Sequence, residues 1–302
     1  MPLEPSAPAH RVVDVVSYLA ASAGVDVSVS EIARGAGVNR TTCQAILLSL
    51  EARGWVQRRG AGSCGLGPAM IPLGEAALGG MRLVDEVRPE LDALVDELQM
   101  EALASVVSGD EIVVVAHARR GSVLANTVRV GQTMPFVPPF GLGHLLHAPR
   151  ERVDAWLDRA PVKLDARDRA EYRAVIDVAE QRGYVVVLDA ESRRRFQAVM
   201  AELAERPASV AARRRRDALI ASLARDEATL GPWTGSESAE VSQISAPVFG
   251  PDGRPALAIG VHGLPHQIDA ARLPDYAERV LAAAARVTKR VGGRQPHRGG
   301  EA

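Results

Sequence analysis

The stretch that most constrains this chain is residues 29–59, VSEIARGAGVNRTTCQAILLSLEARGWVQRR. It holds two runs with helical apolar spacing, split by Gly35 and Gly37, and then turns strand-like and basic. Ser28 stands three residues before Glu31, a capping-box spacing that opens a helix burying Ile32 and Ala33. Asn39 is a good N-cap for the next helix. There Cys43, Ile46, Leu47 and Leu50 fall at i, i+3, i+4 and i+7 and should face a core. Upstream, residues 10–23 set Val12, Val15, Val16, Leu19 and Ala23 on one helical stripe, and Gly24 ends it. Helices joined through a short turn containing glycine outline a helix-turn-helix.

A core accounts for the apolar positions but not for Arg40, Thr41 and Gln44, which point the other way around the first turn of the third helix. In helix-turn-helix proteins this turn meets base edges in the major groove. Arginine can read guanine there, and glutamine can read adenine. Thr42 at the helix start, and Arg58 and Arg59 past its end, suit phosphates. Between residues 30 and 60 five arginines stand against two glutamates, on a chain whose net charge is −1, so any DNA-binding field is local.

Past Gly54 the run Trp55-Val56-Gln57-Arg58-Arg59 alternates like a strand and leads into GAGSCG, residues 60–65. That string has G-x-G-x-x-G spacing, but a dinucleotide site needs a helix directly after it. Leu66-Gly67-Pro68 is poor material for one. The string reads as the tip of a hairpin wing, which places Cys64 at a loop tip and Cys43 on a packed face.

A length of 302 residues fits two domains, and 47% hydrophobic with 24% charged residues describes an ordinary globular protein. Two cysteines cannot build a disulfide framework. No secretory signal opens the sequence, and no apolar run approaches the roughly 18 residues of a membrane span. A cytoplasmic protein with no membrane partner is expected. There is no G-x-S-x-G, no G-x-x-x-x-G-K-[ST] and no H-E-x-x-H, so neither an enzyme nor a cofactor is expected. His144 and His147 are three apart and His262 and His266 four apart, spacings that can converge on zinc from one helix face. Gly and Pro within VHGLPHQ put the second pair in a loop, and no metal is expected.

The chain resembles the IclR family of bacterial transcriptional regulators. Residues 29–59 look like its winged helix-turn-helix, and GLGPAMIPLG (65–74) looks like the entry to its linker helix. GQTMPFVPPFGLGHLL (131–146), EQRGYVV (180–186) and SQISAPVFGPDGRPALAIGVHG (242–263) resemble segments of its effector domain. Members commonly carry arginine where this chain has Ala45. The family's HATA loop, followed by Gly-Lys-Ala, stands here as VPPFGLGHL, with His144 near the Lys position. Residues 193–232 look longer and more charged than the family norm. The resemblance implies an α+β protein, an N-terminal winged helix-turn-helix joined by a linker helix to a GAF-like α+β effector domain. It also implies a loop at 136–144 over a ligand pocket, with Phe140, Gly141, Leu142, His144, Asp189, Ser242 and Ser245 as effector-binding residues.

The residues themselves support such a second half. Leu83, Val87, Leu91, Leu94 and Leu98 recur three or four apart through 75–100, with a break expected near Pro89. A Gly-Asp turn splits the apolar stretches of LASVVSGDEIVVVAHAR, a hairpin signal. Further strands are expected at 122–130, 184–188, 241–249 and 255–262, and helices at 143–148, 150–158, 167–182 and 271–290. Such a mixture argues for an α+β domain around an antiparallel sheet. RRRRD at 213–217 reads as a solvated helix face or a mobile excursion. The boundaries expected are a flexible arm (1–9), the DNA-binding domain (10–74), a linker helix region (75–100), the effector-binding and oligomerisation domain (101–290) and a flexible tail (291–302).

Taken together, the sequence points to a transcriptional regulator that binds double-stranded DNA at a near-palindromic operator, as a homodimer or homotetramer, under control of a small-molecule effector. The alternative is a small-molecule sensor or protein-interaction module with weakened DNA binding.

Overall fold

The computed structural model describes residues 6–22, 26–60, 62–120, 128–188, 191–205, 209–230, 241–262 and 272–296. They divide into two units, Met1–Gly80 with Val199–Arg215, and Met81–Ala198 with Arg216–Ala302.

In the first unit the order is α1 (Ala7–Ala20), β1 (Val27–Ser28), α2 (Val29–Gly35), α3 (Arg40–Glu51), β2 (Val56–Arg59), β3 (Ser63–Leu66) and α4 (Met70–Gly79). The capping box forms as spaced, with Ser28 N–H donating to Glu31 Oε2 at 2.8 Å and Glu31 N–H to Ser28 Oγ at 3.3 Å. This hydrogen bonding holds the Glu31 carboxyl below its usual range. Val15, Leu19, Ile32, Cys43, Leu47 and Val56 close one core beneath a three-stranded antiparallel sheet in the order β1-β3-β2. At the foot of the wing a Cβ on Gly67 would sit 2.1 Å from the Gly54 carbonyl oxygen, so only glycine admits this close return.

Four expectations need correcting here. Cys64 is no loop-tip residue: it lies in β3, pairs with both Val27 and Arg58, and is fully buried, since β1 covers its outer edge. Burial pushes the Cys43 and Cys64 thiols up. Helix α1 begins at Ala7, inside the expected arm, because Pro8 suits a first helical turn. The long helix breaks at Gly80 and Met81, not near Pro89. Adjacent glycines cost a helix about 1 kcal/mol each. Pro89 is carried within the next helix, whose buried face outweighs one missing hydrogen bond.

The second unit runs α5 (Arg82–Leu98), β4 (Glu101–Ser108), β5 (Glu111–Ala118), β6 (Thr133–Pro135), a 3-10 turn (Leu142–His144), α6 (Arg150–Asp158), α7 (Ala166–Arg182) and β7 (Val185–Leu188). Then follow α8 (Glu191–Glu205), α9 (Val210–Leu230), β8 (Val241–Phe249), β9 (Pro255–His262) and α10 (Leu273–Arg290). The six strands form an antiparallel sheet in the order β6-β5-β4-β9-β8-β7. Helices α5 and α10 pack on the sheet, and buried Glu90 of α5 receives Arg286 Nε and Arg290 Nη2, each at 2.7 Å. The other face carries the turn: a Cβ on Gly143 would meet Ser245 Oγ at 3.3 Å and Ala258 Cβ at 3.4 Å.

Residues 291–296, placed in the expected flexible tail, are tied down. Gly293 N–H donates to Thr288 O at 2.7 Å and Arg294 N–H to Gly250 O at 3.1 Å, and a Cβ on Gly293 would meet Phe249 O at 1.9 Å. The strand expected at 122–130 falls largely outside the described residues; the β5 partner is β6, at 133–135. The helix expected at 143–148 is only the short 3-10 turn, since His147 adopts φ 58° and Pro149 follows. The arginines of RRRRD are engaged rather than simply solvated: Arg215 pairs with Glu202, Arg216 pairs with Asp217, and Arg213 packs on Tyr18.

Candidate functional site

Two sites follow from this fold. In the first, the Asn39 side chain accepts the Thr42 N–H at 2.8 Å and so fixes where α3 begins. Cys43, Leu47 and Leu50 sink the inner face of α3, and Arg40, Thr41 and Gln44 are exposed on the outer face. Thr42 is half-buried with its N–H spent on the cap. The outer stripe continues through Ala45 to Leu48, which is 52% exposed. The sequence reading passed over Leu48, although it lies seven residues past Thr41; an exposed apolar side chain here suits a thymine methyl. In the wing, Arg58 Nε pairs with Glu51 at 3.0 Å, while the half-exposed Arg59 guanidinium lies over Gly65.

The second site is the loop 136–147. The Phe140 carbonyl accepts Trp156 Nε1–H at 2.9 Å, and its ring lies 4.9 Å from that of Phe196. Gly141, at φ 89°, is pressed against Phe136, with a Cβ there only 2.5 Å from the ring. Leu142 is buried, and His144 Nε2 lies 3.1 Å from Ser105 Oγ on β4. Burial, with the charge of Arg152 adding to it, pushes the His144 imidazole down to about 4, so it is neutral at pH 7. Ser245 is buried behind Gly143.

Phe140, Gly141, Leu142, His144 and Ser245 therefore come together. Ser242 does not join them, since its hydroxyl donates to Val187 O at 3.2 Å. Asp189 lies outside the described residues. Ser105 was not legible, because its pairing with His144 depends on sheet register. Further along the same sheet face His117 Nε2 lies 3.3 Å from Glu101 Oε2.

The Ser105–His144 pair has the spacing of a nucleophile and base, but both groups are buried and the imidazole is too weak a base for that work. It serves instead to pin the loop to the sheet. Among the described residues no three His, Cys, Asp or Glu side chains converge on a metal position, and His266 lies outside them. No described helix is long and apolar enough to cross a membrane.

A capped helix with one face in a core, a polar outer first turn and a flanking basic hairpin defines a winged helix-turn-helix of the DNA-binding class. Residues 8–60 match the IclR helix-turn-helix domain. Over nearly its whole length the chain also shares a fold with solved IclR structures. An IclR transcriptional regulator from Alicyclobacillus acidocaldarius superposes with a TM-score of 0.68 at 19% identity, covering 96% of this chain and 100% of that one. A Brucella abortus IclR family transcriptional regulator gives 0.64 at 14% identity, with 95% and 94% covered. An IclR homologue from Microbacterium hydrocarbonoxydans, solved in complex with 4-hydroxybenzoate, gives 0.61 at 18% identity, with 94% and 99% covered. No curated protein sequence matches the chain.

Proposed function

We propose that this chain is a ligand-responsive transcriptional regulator that reads DNA with α3. The observation that carries the reading is the exposed row Arg40, Thr41 and Gln44 on a helix whose start is set by Asn39 and whose other face is buried. Arg40 and Gln44 contact base edges, Thr41 assists them, and Thr42 and Arg59 approach phosphates; Arg58 contributes once released from Glu51. The IclR match over residues 8–60 supports this assignment.

Homodimerisation is supported by α4, which buries none of its residues and leaves Ile71 66% and Leu73 44% exposed. Two-fold pairing sets two reading helices on a near-palindromic operator. The GAF-like second unit acts as the sensor, with the loop at Phe140–His144 as its ligand-responsive part. In the present structure the loop fills its own site with Phe140, Leu142 and His144, so ligand entry requires the loop to move. The 4-hydroxybenzoate complex of the Microbacterium homologue makes small aromatic acids the first compounds to test.

The test is fluorescence anisotropy with duplexes from genomic DNA, including the region upstream of the protein's own coding sequence, at two salt concentrations. Specific binding by the wild type that is lost in Arg40→Ala is expected. Equal, weak binding to every duplex, unaltered in Arg40→Ala, would leave the second unit as a sensor without an operator.

A further inference from the structure

Helices α8 and α9 run through both units: Val199–Arg215 belongs with the DNA-binding residues, and the chain on either side belongs with the effector domain. Arg213 secures the tip. Its guanidinium carbon lies 5.5 Å from the Tyr18 ring centroid, and Nη2 donates to Ala21 O at 3.1 Å and to Ser22 Oγ at 3.4 Å. The Tyr18 ring in turn occupies the space beside Gly35, where a Cβ would lie 1.9 Å from it. One aromatic ring therefore connects Arg213 to the first two helices of the helix-turn-helix. A cation at the C-terminal end of α1 is also favoured by the helix dipole.

The two limbs are anchored separately. On the outgoing limb the Phe196 ring packs 4.9 Å from Phe140, the aromatic side chain of the candidate effector loop. On the returning limb the Ala224 carbonyl accepts the Tyr172 hydroxyl at 2.7 Å. Glu202 and Arg215 pair across the limbs. A side chain stacked on the loop and a side chain gripping α1 thus belong to one short helical hairpin.

We propose that α8–α9 is a coupling strap, with Arg213 on Tyr18 as its latch and Phe196 on Phe140 as its sensor end. A small molecule that displaces the loop at Phe140 moves Phe196, and the strap then releases α1. For its regulatory meaning this rests on the reading of the chain as a ligand-responsive regulator; the latch itself requires no DNA. Coupling between sites commonly amounts to a factor of about 5 to 150, which a contact of this size can supply. It also gives the RRRRD run a role that composition did not suggest.

The experiment is native-state amide exchange on the full chain without DNA, for the wild type, Arg213→Ala, Phe196→Ala and the bulk-retaining Phe196→Leu. Arg213→Ala is expected to speed exchange at Tyr18–Ser22 roughly threefold to tenfold, leaving Leu47 and the centre of β4 at wild-type rates. Phe196→Ala is expected to speed exchange both in the loop 136–144 and at Tyr18–Ser22, with Phe196→Leu giving the same pattern more weakly. Unchanged rates at Tyr18–Ser22 in Arg213→Ala would overturn the latch. A loosened loop with Tyr18–Ser22 at wild-type rates in both Phe196 variants would overturn the coupling. Failure of the wild type to bind any operator would leave these exchange results standing, so the two readings fail separately.

Discussion

Arg58 Nε lies 3.0 Å from Glu51 Oε2, so the wing's first arginine is tied to the last turn of the helix that reads DNA. Both side chains are more than a third exposed, and such a pair contributes about 0–1 kcal/mol to stability. Glu51→Gln should leave the fold intact and free one positive charge for a phosphate. The expected result is a salt slope of operator binding steeper by about one unit, measured by anisotropy across a salt series. An unchanged slope would confine Arg58 to a structural role.

Asn39→Ala removes the side chain that caps α3. A loss of about 1 kcal/mol of stability is expected, together with weaker operator binding because Arg40 and Thr41 begin at the frayed turn. Thermal unfolding followed by circular dichroism checks the first part. Asn39→Ser, which can still cap, should recover most of the loss.

His144 gives a pH dependence of known sign. Its folded-state value is pushed down to about 4 from an ordinary 6.5, so both states are neutral above pH 6.5 and the full stability is present there. As pH falls from about 6.5 towards 4 the unfolded chain takes up the proton first, and up to about 3 kcal/mol is lost. Urea unfolding of the wild type and His144→Gln at pH 7, 5.5 and 4.5 isolates this part, because carboxylates common to both cancel. Parallel pH profiles for the two proteins would count against a buried neutral imidazole.

Burial pushes the Glu90 carboxyl up, but hydrogen bonds from Arg286 and Arg290 more than offset it and hold the group below its usual range. Its contribution is therefore complete above the ordinary carboxylate range and is lost as pH falls through the lowered value. Breaking a fully buried pair costs about 3–5 kcal/mol. With Arg286 50% and Arg290 38% exposed, about 1–3 kcal/mol is expected for Glu90→Gln, read from the urea midpoint of the effector domain. A shift in midpoint without a change in slope is the predicted form.

Much of the DNA-binding unit was legible because its determinants are local. The Ser28–Glu31 box, the Asn39 cap and the Cys43-Leu47-Leu50 stripe are each spelled within a few residues. The effector domain was legible as strands and helices, including 241–249 and 255–262, but not as a site. Ser105 meets His144 because β4 pairs with β9 in a particular register, and nothing near either residue encodes that. Cys64 was misplaced for the same reason, since β1 is only two residues long and its pairing with β3 is invisible in a glycine-rich string. Pro89 misled in the opposite way: a strong local breaker lost to the burial of Val87, Leu91 and Leu94 around it.

The strand order has a consequence for how the molecule is made. β9 is the last strand to leave the ribosome, yet it takes a place in the middle of the sheet, between β4 and β8. Until it arrives, one edge of the β4–β5 hairpin stays open on the nascent chain, and an open strand edge invites pairing with other chains. The core of helices and wing up to Leu66 needs no such late partner. A growing polypeptide would therefore carry a finished reading head ahead of an unfinished sensor, and that interval is when the cell has most reason to chaperone it.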